Sequence, residues 1–149
     1  RYGGRPWATF KGRWDAILEQ MLLGLKRDEP FVVYDVGAGS GYFSLQVALA
    51  FPQSLVVAVE VDEFDHWERR WNVHTYWEWT HRLGLTNCVT DSELWDYDFV
   101  RKLRAESFHV DVMFLLSVFH YMDKRSYQQY ERSGLTKVQG TLELMAHIL

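Results

Sequence analysis

Val33-Tyr34-Asp35-Val36-Gly37-Ala38-Gly39-Ser40-Gly41-Tyr42-Phe43 runs from a β-branched stretch through a turn with glycine at every second position into an apolar segment. Glycine tolerates positive φ and lets backbone N–H groups approach a ligand with no Cβ in the way. A turn that feeds a helix N-terminus offers unpaired donors and a partial positive charge, so the segment reads as the floor of a ligand pocket. A purely structural turn is the plainer alternative. Two details narrow the ligand. The dinucleotide-binding fingerprint places its third glycine one residue further on, where Tyr42 stands. Asp35 precedes the first glycine by two residues, and an acid there does not help to hold pyrophosphate. It either balances a cationic ligand or anchors the loop through backbone donors.

Phe31-Val32-Val33-Tyr34 is the strand that delivers the turn. Upstream, Trp14, Ile17, Leu18, Met21, Leu22 and Leu25 recur at helical spacing, which predicts a helix over 14–25. Pro30 closes it, because the residue before a proline avoids helical geometry. Residues 1–11 are Gly-rich and read as irregular. Downstream, a helix over 41–51 ends at Pro52, and Leu55 to Val61 forms a strand apolar on both sides. The pattern then predicts a long helix over 63–83, a third strand over 87–90 and a helix over 96–105. A fourth strand over 110–116 and helices over 124–132 and 135–148, broken at Ser133-Gly134, complete the chain. Strands alternating with helices imply right-handed crossovers and an α/β doubly wound, mostly parallel sheet with helices on both faces. An antiparallel α+β domain would show alternating strands and hairpin turns, and neither is present.

Composition sets the outer bounds. The chain has 149 residues, with 16 Lys+Arg against 20 Asp+Glu, a net charge of −4 and an isoelectric point near 5.8. At 48% hydrophobic and 24% charged it falls among globular chains, excluding disorder, collagen and coiled coil. A chain of this length buries roughly two thirds of its unfolded surface. Cys88 is the only cysteine, which excludes a disulfide scaffold. No apolar run approaches the roughly 18–20 residues of a membrane span, and no signal-peptide pattern precedes the first helix. A cytoplasmic setting is expected, and the Arg1 start reads as an ordered portion of something longer. The acidity gives no overall footprint for nucleic acid. His66, His74, His81, His109 and His147 show no metal-ligand spacing, so no metal is expected.

Asp35-Val36-Gly37-Ala38-Gly39-Ser40-Gly41 resembles the first motif of the class I S-adenosylmethionine-dependent methyltransferases. In that family the glycine loop passes beneath the methionine and ribose portions of the cofactor. The resemblance implies S-adenosylmethionine as cofactor and S-adenosylhomocysteine as product, with Asp35, Gly37, Ala38, Gly39 and Gly41 at the site. About 20 residues on, the second strand ends Val57-Ala58-Val59-Glu60-Val61-Asp62, where dinucleotide folds also carry an acid for ribose hydroxyls. By resemblance Glu60 takes that role and Val61 packs on the adenine; Asp62, two residues further, is the poorer ribose ligand. Thr90-Asp91-Ser92 resembles the adenine-edge contact, with Asp91 accepting from the exocyclic amine; a helix cap or turn is the alternative for Asp91. The resemblance also implies one domain over 1–149, with a helical extension over 1–27 and a cofactor core over 31–122. Its visible sheet order is 3-2-1-4.

Asp111 to His120 occupies the place of the family's fourth motif. Ligands of open α/β sheets bind outside the carboxyl ends of the strands, so Ser117 to His120 are expected at the methyl group or the acceptor, with Ser117 on the cofactor. The Asn/Asp-Pro-Pro-Tyr/Phe run of amine methylation is missing, and Cys88 lies on the wrong strand for a pyrimidine nucleophile. His120 is the candidate general base. Its alternative is a residue that lines the cleft or caps a helix, since in-line methyl transfer needs positioning more than a base. The family sheet continues 3-2-1-4-5-7-6, so Val110 to Leu116 is expected as an apolar edge covered by further residues or another chain.

Residues 66–79 hold four of the seven tryptophans, with Trp67 and Trp71 one turn apart on the expected helix. Burial on the sheet explains most of these rings, and any left over form a partner surface. The leading function is methyl transfer to an unidentified acceptor. The alternative is a non-catalytic methyltransferase-like binding domain in a larger complex. A nicotinamide oxidoreductase is disfavoured by Tyr42.

Overall fold

The computed structural model describes residues 6–61, 64–65 and 70–148. A 3-10 turn (Trp7–Phe10) leads into α1 (Lys11–Gly24), followed by β1 (Val32–Val36), α2 (Tyr42–Ala50) and β2 (Leu55–Val59). Two-residue strands β3 (Phe64–Asp65) and β4 (Arg70–Trp71) precede α3 (Asn72–Arg82) and β5 (Cys88–Asp91). Then come α4 (Tyr97–Ala105), β6 (Val112–Phe114), α5 (Phe119–Arg132) and α6 (Lys137–Ile148).

The chain divides into two compact units. The first takes residues 1–93 and 110–114 and holds a four-stranded sheet in the order β5-β2-β1-β6. All three ladders are parallel, so this is the expected 3-2-1-4 order. Its central strands are buried along almost their whole length: Val33, Val36, Val56, Ala58 and Val59 are each at most 2% exposed. That is the reason the second strand reads as a continuous apolar run. Register decides where the site lies. Val36 pairs with Val59, and Val59 with Asp91, so β1, β2 and β5 end level with one another.

Three boundaries differ from expectation. The helix expected over 63–83 is instead a short antiparallel ladder, Phe64 opposite Trp71 and Asp65 opposite Arg70, followed by helix from Asn72. Trp71 is extended at φ −75°, ψ 136°, so it ends the ladder. Ladder bonds satisfy the backbone groups that helix would have used, and aromatic residues suit either state. His66, Trp67, Glu68 and Arg69 lie outside the described residues, as does Asp62. The fourth strand stops at Phe114 because its partner β1 is needed only as far as Asp35. Beyond Val36 the chain turns toward β2 through Gly37, leaving Leu115 and Leu116 without a ladder. The helix expected over 124–132 begins earlier, at Phe119, and so takes His120 into its first turn.

The second unit comprises residues 94–109 and 115–149 and packs α4, α5 and α6 together. Tyr97 and Tyr130 meet edge to face at 5.1 Å, and the Tyr97 hydroxyl donates to Glu143 at 2.8 Å. The Gln129 side chain accepts from the Asp98 amide at 3.1 Å and donates to Asp96 at 2.6 Å, tying α5 to the start of α4. Gly140 lets α6 lie against the Tyr130 ring, a space a methyl group would fill. Among the described residues no helix is long and apolar enough to cross a membrane.

Candidate cofactor site

The glycine turn lies at the level carboxyl ends of β1, β2 and β5. Gly37, Gly39 and Gly41 all take positive φ, at 75°, 57° and 81°. Gly41 is also the N-cap of α2 and lies so close to the Tyr76 ring of α3 that a Cβ would overlap it. Two independent demands for glycine therefore meet at one residue.

The turn differs from an anion cradle. Gly37 and Ala38 both donate their amides to Val59 O, at 2.8 and 3.1 Å. Gly41 N donates to Ala38 O at 3.0 Å. Gly39 N donates to the Glu60 carboxylate at 2.5 Å. The expectation of unpaired donors is thus corrected at these four amides: the turn tightens onto β2, which consumes them. What stands at the loop is a negative charge. Glu60 is itself fixed from below by its backbone amide, which donates to Asp91 O at 3.0 Å.

Asp35 is 2% exposed. It lies in the sheet beneath the turn, and its Oδ2 accepts from the Ser44 hydroxyl at 2.6 Å. Burial pushes its carboxyl up to about 6, against the opposing pull of the hydroxyl and amide of Ser44. Asp91 accepts from the Glu93 amide at 3.0 Å, forming a local turn at the end of β5. Tyr34 is raised by burial and then by the nearby Asp91 charge. Val61 is half-buried just past β2. Ser117 and His120 belong to the second unit. Ser117 is exposed and takes φ 65°, a left-handed conformation rare outside glycine. His120 is exposed, and its ring lies tilted against that of Tyr121 with centroids 4.0 Å apart.

Two residues of the site carry almost no signal in the sequence. Ser44 was one polar position in an apolar helix, and only its place in the first turn hinted at a role. Tyr76 was one ring among many in the aromatic segment. It is 1% exposed, and its buried hydroxyl has only the weak sulfur partner Cys88 among the described residues. Tyr76→Phe keeps the ring against Gly41 and removes that hydroxyl. It is expected to raise stability by up to about 1 kcal/mol, read from denaturant midpoints, because a thiol is a weak partner and leaves the buried hydroxyl poorly satisfied. Among the described residues no group of three or more His, Cys, Asp or Glu side chains could hold a metal.

No family model matches the chain. Over 85 residues it is 32% identical to the ribosomal RNA small subunit methyltransferase G of Lactiplantibacillus plantarum, covering 57% of this chain and 32% of that protein. It therefore spans about a third of the length of the curated relative it matches. Among solved structures, the bifunctional kinase-methyltransferase WbdD is similar at TM-score 0.54 and 19% identity, covering 87% of this chain and 26% of that one. The chain carries the class I methyltransferase fold. A SAM-dependent methyltransferase from Agrobacterium tumefaciens shares the methyltransferase fold at TM-score 0.51 and 16% identity, over 70% of this chain and 30% of that one. A mutant of MtNAS in complex with S-adenosylmethionine is similar at TM-score 0.52 and 16% identity, over 81% of this chain and 42% of that one. In the terms of that fold, β1, β2, β5 and β6 are its first four strands.

Proposed function

We propose that this chain is the cofactor-binding part of an S-adenosylmethionine-dependent methyltransferase whose acceptor is unidentified. The observation that carries this reading is the pairing of Gly39 N with Glu60 at a turn whose other amides are consumed by Val59 and Ala38. Such a site disfavours a pyrophosphate, which needs free amides, and suits a ligand with hydroxyls to donate and positive charge to balance. S-adenosylmethionine has both and supplies an activated methyl group on a sulfonium. Glu60 holds the ribose hydroxyls, Gly37 to Gly41 allow close approach, and Val61 and Asp91 take the adenine. Asp91 does so with one oxygen engaged by Glu93.

On the acceptor side, His120 is the general base and Ser117 a cofactor neighbour in this reading. A cytoplasmic setting and a protein partner at Trp71 and Trp77 belong to the same proposal; those rings are 49% and 44% exposed. Calorimetric titration with S-adenosylhomocysteine and, separately, with a nicotinamide dinucleotide tests the reading. Binding of the first and not the second is expected. The reverse result would refute it, and cofactor binding without transfer to any acceptor would favour the non-catalytic alternative.

A further inference from the structure

We propose that Asp35 is a positioning residue, a buried carboxylate that replaces the missing N-cap side chain of α2 and holds the glycine loop in shape through Ser44. A helix N-terminus is commonly satisfied by an N-cap side chain that accepts from a first-turn amide. The N-cap of α2 is Gly41, which has none, and no side-chain cap bond forms there. Ser44 is the third residue of α2, and its amide is one of the donors a cap normally satisfies. Asp35 reaches it from β1, taking the Ser44 hydroxyl at 2.6 Å together with the Ser44 amide. The strand before the glycine loop and the helix after it are thereby joined under the loop.

Among the described residues, the groups that face this carboxylate titrate outside its range. From α2 it meets Ser44, which is not ionisable in this range. From α3 the Tyr76 hydroxyl faces it, and beside that lies the Cys88 thiol of β5. Burial pushes both of these up, so both stay neutral near pH 6. Asp35, raised to about 6, changes charge there. Protonation converts one of its oxygens from acceptor to donor and weakens its hold on Ser44.

Two effects of opposite sign follow. Because the folded value lies above the ordinary 3.8, Asp35 contributes stability that is fully present below 3.8 and lost as pH rises through 6. The grip on the loop is strongest above 6, where the carboxylate is charged. Ligand affinity is thus expected to rise with pH while this group's share of stability falls. The ligand arm rests on the proposed cofactor; the stability arm does not.

The test uses native protein, Asp35→Asn and Ser44→Ala between pH 5 and 8. It follows S-adenosylhomocysteine affinity, the denaturant midpoint and the Ser44 amide resonance. In the native protein the resonance should titrate near pH 6, with affinity falling by up to about tenfold per unit below it, the limit for one proton. Asp35→Asn should abolish the titration and flatten both profiles. Ser44→Ala removes a bond that favours the charged form, so it should move the affinity profile to higher pH. A native resonance that does not titrate, or profiles unchanged in Asp35→Asn, would overturn the assignment. If the resonance and midpoint behave as stated and no ligand binds at any pH, the cofactor reading fails and the role of Asp35 stands.

Discussion

Gly41→Ala is expected to lower stability by about 3 kcal/mol and the melting temperature by roughly 10 °C. Two costs add. The residue takes φ 81°, which an L side chain tolerates only at about 1–2 kcal/mol. The new Cβ also overlaps the Tyr76 ring, a buried group whose displacement costs about 1–3 kcal/mol. Against the roughly 5–15 kcal/mol that holds a domain together, such a loss is severe but leaves folded protein to study. A double-mutant cycle separates the terms. Gly41→Ala with Tyr76→Leu should recover the steric part and leave the backbone part, measured as denaturant midpoints. If the double variant shows no coupling, the close approach of α2 and α3 is not what requires glycine. Because Gly41 also begins α2, ligand affinity should fall in the single variant even where it remains folded.

Glu60→Ala is expected to weaken S-adenosylhomocysteine binding by about 2–3 kcal/mol, or roughly 30- to 150-fold, as loss of a charge-assisted acceptor does. It should also destabilise the fold by about 1–2 kcal/mol, because the Gly39 amide loses its partner in a half-buried place. The two losses can be told apart with Glu60→Gln. The amide oxygen of glutamine still accepts from Gly39, so stability should return close to native. Ribose hydroxyls would lose the charged acceptor, so affinity should stay low. Calorimetry and denaturation on the same three proteins read both quantities. Native-like affinity in Glu60→Gln would mean that the ligand does not use the charge.

These two residues also show how much was legible beforehand. Gly41 could be found from the sequence as part of a glycine turn, because few residues other than glycine take positive φ at such a turn. That Gly41 also lies against a buried ring could not, since that constraint comes from Tyr76, a residue distant in the chain. Glu60 was readable from its place at the end of the second strand. Its bond to Gly39 was not, and that bond changes the loop from an anion cradle to an acidic one. The 64–71 segment misled for a related reason: its aromatic residues satisfy helix and ladder patterns alike, so pairing with a partner strand decided between them. His120 moved from a loop into the first turn of α5, because the fourth strand ended as soon as β1 turned away from it.

By itself the sequence determined the parallel strand–helix alternation, the glycine turn and the acid that follows the next strand. Each is set by local rules: apolar runs demand burial on both faces, and a left-handed turn demands glycine. What each polar group does is set by contacts between distant segments. The tertiary structure gave the loop amides to Val59 and Glu60, placed Asp35 beneath the turn against Ser44, and set the Tyr76 ring over Gly41. Hydrogen-bond partners and buried charges depend on which chain segments meet in space, and the residues that meet here lie up to 35 positions apart.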